Sequence, residues 1–297
     1  MNKTRKILFV IMLLTILTVI GVIIMVLGAS NTSKDNDVAI DDNKLTVVTS
    51  FYPMYIATMN IADGVDINLV NLSEPKTGCL HDYQLTTEDM KLLSKADVFV
   101  INGGGMEEFL EEVVSQYPNL TIVDASEGVE LYNNNSHVWM SVSNHIKQVE
   151  NITKGLCEKD PTNAEKYKSN ARDYITKLRD LLLLEDSSTS GLKVVLFSEA
   201  YENLAKDFGL EVKDILDLDE EKDISAKELA DTVDVIKDNN VPLIIAEEEY
   251  GKKMAEAVMK ETDAKTIYLD TIIRGDYDKD SYIDKMSSNI RLLKEAV

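Results

Sequence analysis

Gly78-Cys79-Leu80-His81-Asp82-Tyr83-Gln84-Leu85-Thr86-Thr87-Glu88-Asp89 puts a histidine in a loop that a capped helix closes at once. Thr86 and Asp89 have the spacing of an N-terminal capping pair, and Met90, Leu93 and Ala96 supply the apolar stripe of the helix that follows. Upstream, Ile67-Asn68-Leu69-Val70-Asn71 reads as a buried strand, and downstream Asp97-Val98-Phe99-Val100-Ile101 reads as another. His81 therefore leaves the end of a strand, where open α/β sheets place their ligands. The chain has only three histidines, His81, His137 and His145, so any imidazole site must be built from few parts.

Working outward, the same strand–helix rhythm repeats on both sides. A strand at Leu45–Ser50 precedes a helix around Met54–Asp63. Gly103-Gly104-Gly105 lacks the spacing and lysine of a phosphate loop and reads as a turn into a helix over Met106–Gln116, which Pro118 stops ahead of the strand Leu120–Val123. From Ser143 to Leu184 the apolar spacing is helical, with Pro161 opening a long second segment. Strands are expected at Val194–Phe197, from Leu210, at Leu243–Ala246 and at Thr266–Leu269. Helices are expected at Glu199–Phe208, behind a Ser225/Glu228 capping pair, at Gly251–Glu261 and at Tyr282–Ala296. This alternation predicts an α/β fold of two lobes, each a mostly parallel sheet flanked by helices, joined by a long rigid backbone helix. The lobes are expected at 45–158 and 191–297, with the linking helix at 159–190.

The N-terminus is basic at Lys3, Arg5 and Lys6 and then apolar from Ile7 to Leu27. Residues 1–28 read as a signal or anchor helix of about the length that spans a bilayer. The positive flank predicts an inside tip and an outside remainder. Leu27-Gly28-Ala29-Ser30 has serine where a lipidated cysteine would stand, so retention of the helix is favoured, with cleavage and secretion second. Residues 29–44 are polar and acidic, a disordered tether. The net charge is −21, which becomes more negative still without the basic tip. Such a surface excludes nucleic acid and suits a protein that meets cations. Cys79 and Cys157 do not make a disulfide framework, although one bridge between them stays open; Cys79, two residues before His81, could also coordinate.

Polar residues stand at the ends of the expected strands. His81 and His137 lie in loops of the first lobe; Ser198, Glu199, Glu248 and Asp270 follow strands of the second. If each sheet is parallel, a cleft between the lobes faces imidazole with carboxylate, a donor set suited to Zn²⁺ or Mn²⁺. Each residue also has a plain structural role available. Glu199 suits a helix N-terminus, Glu247–Glu249 a solvated edge, Asp270 a turn, His145 a surface position and Trp139 a core position.

Taken together, His81-Asp82-Tyr83, Thr87-Glu88-Asp89, Ala96–Phe99, Asn102-Gly103 with Glu107, Ser136–Met140, Ala200-Tyr201, Leu204–Leu210, Lys260–Thr262 and Asp270 resemble the zinc/manganese solute-binding proteins of ABC importers. The resemblance runs from Leu45 to the C-terminus. It implies one metal buried between two lobes, with His81 and His137 as ligands and Asp270 as a ligand or near-ligand. Ser198 stands where that family carries His or Glu, so either Glu199 turns inward to coordinate or the site is short of a ligand, a loss that Cys79 could make up. The function implied is an extracytoplasmic binding component, not an enzyme. It takes Zn²⁺ first and Mn²⁺ second as transported ligand, partners a membrane permease and acts as a monomer. A metal-dependent hydrolase using Glu199 or Glu248 as its acid, and a metal-independent surface adhesin, are the alternatives.

Overall fold

A computed structural model of the chain describes residues 40–73, 80, 83–184, 187–216, 218 and 225–297. Residues 1–39, the expected signal or anchor and most of the tether, lie outside them, as do Cys79 and His81. Among the described residues no helix is long and apolar enough to cross a membrane.

The first sheet comprises β1 (Thr46–Thr49), β2 (Asn68–Asn71), β3 (Val98–Ile101) and β4 (Thr121–Asp124), in the order β2-β1-β3-β4 and parallel throughout. The second comprises β5 (Lys193–Leu196), β6 (Glu211–Ile215), β7 (Leu243–Ala246) and β8 (Lys265–Tyr268), in the order β6-β5-β7-β8 and also parallel. The central strands β1, β3 and β7 are buried along their whole length, as apolar runs covered on both faces must be. Parallel strands share a direction, so the loops leaving each sheet gather along one edge.

Nine α-helices serve as crossovers and braces among the described residues. In the first lobe these are α1 (Tyr52–Ile61), α2 (Thr87–Leu93) and α3 (Leu110–Gln116). The spine is an antiparallel pair, α4 (Val142–Lys159) and α5 (Ala164–Leu182), broken at Pro161. The second lobe adds α6 (Glu202–Asp207), α7 (Ala226–Asn239), α8 (Glu248–Met259) and α9 (Ser281–Glu295). Both expected capping boxes form, at Thr86/Asp89 and at Ser225/Glu228. The 19 residues of α5 extend about 28 Å. Its face carrying Tyr167, Ala171, Tyr174, Leu178 and Leu181 is buried in a core that runs without a break from Val47 in one sheet to Ile245 in the other.

Two boundaries differ from expectation for physical reasons. The helix after the glycine run begins at Leu110 rather than Met106. Gly103, Gly104 and Gly105 all have positive φ, which no right-handed helix allows. The Glu107 carboxylate turns back to accept the backbone N–H groups of Asn102 (2.7 Å) and Gly103 (3.0 Å). The segment from Glu199 starts as a tight 3-10 turn over Glu199–Tyr201 before α6. The chain is also pinned before β1: Asp41 and Asn68 exchange two hydrogen bonds of 3.2 and 2.9 Å, inside the stretch expected to be a tether.

The spine packs closely on β4. A Cβ added to Gly155 in α4 would lie 2.4 Å from Cγ2 of Val123. Gly155→Ala is therefore expected to lower the unfolding free energy by about 1–3 kcal/mol despite the better helix propensity of alanine. Urea unfolding followed by circular dichroism checks this; an unchanged or raised midpoint contradicts the packing described.

Candidate functional site

The edge where both sheets deliver their loops is crossed by Trp139. Its Nε1–H donates to the Thr271 carbonyl at 2.9 Å, and its own carbonyl accepts the Tyr282 hydroxyl at 2.7 Å. Trp139 is fully buried. Beside it, the His137 ring lies 5.1 Å away, centroid to centroid. Thr271 follows Asp270 in the chain, so the indole connects the His137 loop with the Asp270 loop.

His137 is held from behind by Asn135. The Asn135 Oδ1 accepts the His137 backbone N–H at 2.8 Å and stands 3.1 Å from Nδ1; it also accepts from Asn203 Nδ2 at 3.2 Å. The Asn135 Nδ2 donates to the Glu199 carbonyl at 2.9 Å and to Glu202 Oε2 at 2.8 Å. Those backbone partners fix which end of the amide is oxygen. A carbonyl oxygen can only accept, so the His137 proton at this contact belongs on Nδ1, which makes Nε2 the ring's lone-pair nitrogen. Glu202, also buried, takes Asn133 Nδ2 at 2.9 Å, and Asn203 Nδ2 donates to the His137 carbonyl at 3.1 Å. The asparagines of the 132–135 loop are thus bonded to α6 across the lobe boundary.

The other expected site residues are distributed as follows. Glu199 brings Oε1 to 3.7 Å from His137 Nδ1, with its side chain 44% exposed. Asp270 accepts the Ile272 N–H on Oδ1 at 2.6 Å and pairs with Lys285 through Oδ2. Its backbone is held at both ends by the Asn289 amide, at 2.8 and 2.7 Å. Ser198 uses its Oγ to accept the Ala200 N–H at 3.2 Å, capping the turn that carries Glu199. Glu248 faces outward in an ion pair with Lys252 at 2.8 Å, away from these groups. Cys157 is a free thiol whose Sγ approaches the Ala164 carbonyl at 3.5 Å. His81 and Cys79, which the sequence reading placed here, lie outside the described residues. Among the described residues no three His, Cys, Asp or Glu side chains converge on one point. Here Asp270 is tied to Lys285, and Glu199 stands on the Nδ1 side of the imidazole.

The family model for the periplasmic component A of the zinc-uptake complex, ZnuA, matches residues 47–296. The chain belongs to this family. The high-affinity zinc uptake system protein ZnuA of Bacillus subtilis is 31% identical, over 92% of this chain and 94% of its own. The manganese-binding lipoprotein MntA of Halalkalibacterium halodurans is 26% identical, over 90% and 93%. Among solved structures, the binding protein FpvC of Pseudomonas aeruginosa with Ni²⁺ superposes with a TM-score of 0.78 at 29% identity, covering 86% of this chain and 97% of that one. The metal-dependent lipoprotein YcdH of Bacillus subtilis gives 0.73 at 32%, covering 86% and 100%. This ZnuA-family chain has the expected fold of two parallel four-stranded sheets.

Some buried polar residues escaped the sequence reading. His145 was expected on the surface; it is fully buried, stacked on Tyr282 with centroids 3.9 Å apart. Its Nδ1 lies 3.1 Å from Gln148 Oε1, and Gln148 in turn donates to Asn102, whose amide donates to the carbonyl of Ser136 beside His137. The aromatic partners come from α5 and α9, which local spacing around His145 cannot reveal. Glu247, expected on a solvated edge, is mostly enclosed and pairs with Arg274 at 3.0 Å; burial pushes its carboxyl up. Glu107 signalled itself only as part of a motif.

Burial pushes His145 down to about 4 from 6.5 and Glu107 up to about 7 from 4.5. The folded protein resists protonating His145, so that contribution to stability is present above pH 6.5 and is lost as pH falls toward 4. Glu107 has the opposite sign: its contribution is present below pH 4.5 and is lost as pH rises toward 7. Comparing wild type with His145→Phe isolates the first. Between pH 7 and 4 the metal-free wild type is expected to lose about 3 kcal/mol more than the variant. Parallel stability curves in urea titrations across that range would contradict the assignment.

Proposed function

We propose that the protein is the extracytoplasmic binding component of an ABC importer for a divalent transition metal, Zn²⁺ first and Mn²⁺ second. It receives the ion between its lobes and passes it to a membrane permease. The observation that carries this reading is the Asn135–His137 pair. A buried imidazole, fixed in one tautomer with its Nε2 lone pair unspent on Asn135, at the junction of two lobes, is the arrangement by which proteins orient a metal-ligating histidine. Glu199 and Asp270 supply carboxylate from the second lobe, and His81 supplies the second imidazole from the first.

In this reading the ion is cargo. Neutral nitrogen and carboxylate oxygen bind it as a borderline cation, and the lobes displace its water. Glu199 is exposed enough to rotate from Nδ1 toward the cleft, while Ser198 remains committed to its cap. The acidic net charge favours cation encounter on a surface outside the cell membrane. The chain acts as a monomer held near its permease by the N-terminal segment, with no catalytic step. The zinc and manganese named for its relatives support both candidate ions.

Isothermal titration of the metal-free domain with Zn²⁺ and with Mn²⁺ tests the proposal. Saturable one-site binding is expected, with Zn²⁺ the tighter, and His137→Ala is expected to weaken it at least tenfold, about 1.4 kcal/mol or more. Absence of saturable uptake of both ions rejects the reading.

A further inference from the structure

The Asp270 carboxylate is already neutralised. Lys285 pairs with its Oδ2, and the Ile272 N–H occupies Oδ1 at 2.6 Å. Both partners of the ion pair are more than half shielded, with side-chain exposures of 24% for the lysine and 38% for the aspartate. This is no loose surface contact. Lys285 lies one turn before Asn289 on α9, on the same face, so one helix holds both the backbone and the charge of Asp270. The lysine stem is confined as well: a Cβ placed on Gly275 would lie 3.2 Å from Lys285 Cε and 2.9 Å from the Tyr52 hydroxyl. Tyr52 belongs to the first lobe and donates to the Asp276 carbonyl at 2.8 Å. Gly275 thus lies against both the Lys285 stem and the Tyr52 hydroxyl of the first lobe.

We propose that Lys285 is a tethered competitor for the cargo, occupying Asp270 in the metal-free protein and vacating it when a divalent cation arrives. The inference rests on the reading of Asp270 as a ligand. An ammonium and a dication on one carboxylate repel each other, and a dication that takes the carboxylate removes what holds the ammonium there. Loading is then an exchange of cations. Lys285 offsets the carboxylate's charge when the site is empty, lowers affinity by the strength of the ion pair that the incoming cation must break, and returns to help expel the ion. It sets the affinity of the site and is not itself a ligand.

The test is Zn²⁺ affinity by competition with a chelator, on wild type, Lys285→Met, Lys285→Arg, Asp270→Asn and the Met/Asn double variant. Lys285→Met is expected to bind about tenfold more tightly, and Lys285→Arg to stay near wild type. Asp270→Asn is expected to bind more weakly, with no gain from adding Lys285→Met, because the competitor then has nothing to occupy. Unchanged or weaker binding by Lys285→Met, in a wild type that does bind, overturns the proposal. If the wild type takes up no ion, the functional reading itself fails. Amine-specific labelling of Lys285 in the wild type decides the matter where Lys285→Met does not fold: labelling is expected to rise several-fold on adding Zn²⁺, and equal labelling with and without the ion overturns the exchange.

Discussion

One indole joins the two halves of the molecule at the edge where their chemistry collects. Trp139 leaves the first lobe next to His137 and donates its N–H to the carbonyl of Thr271, next to Asp270. With Tyr282 bonded to the Trp139 carbonyl and the core continuous behind it, the two loops are held at fixed spacing by buried groups that water does not reach. A buried donor without its acceptor costs roughly 1–3 kcal/mol, so the crossing cannot slide without penalty. Everything proposed about the cleft depends on that constraint.

A second layer of order comes from amides. Asn135, Asn203, Asn102, Gln148 and Asn289 are all buried, and each hydrogen-bonds a backbone group or another amide, with Asn135 and Gln148 also serving the rings of His137 and His145. An amide is uncharged, offers donors and acceptor together, and fills buried space without the desolvation penalty of an ion. Asn135 orients His137 and Asn289 orients the backbone of Asp270. The Lys285 contact places a cation from the chain itself at Asp270.

The fold was legible because its signals are local. Apolar runs at β1, β3 and β7, capping pairs at Thr86/Asp89 and Ser225/Glu228, and the break at Pro161 are each decided within a few residues. Ends of elements were less legible where a side chain reaches back to the backbone. Glu107 capping Asn102 and Gly103 delays α3 by four residues, because its carboxylate satisfies N–H groups that a helix start would otherwise engage differently.

The sequence by itself determined two parallel α/β lobes on a helical spine and the types of residue at the strand ends, since periodicity and turn chemistry act over short separations. Only the tertiary structure decided what those residues touch. It buried His145 between aromatic rings from distant helices, gave Asn135 to His137, committed Ser198 to a cap, turned Glu248 to the surface and set Lys285 on Asp270. Such pairings join positions up to more than a hundred residues apart, as Trp139 and Thr271 do. The physical reason is that a hydrogen bond or ion pair depends on distance in space, which spacing along the chain fixes for neighbours within a turn but not for partners as distant as Trp139 and Thr271 or Lys285 and Asp270.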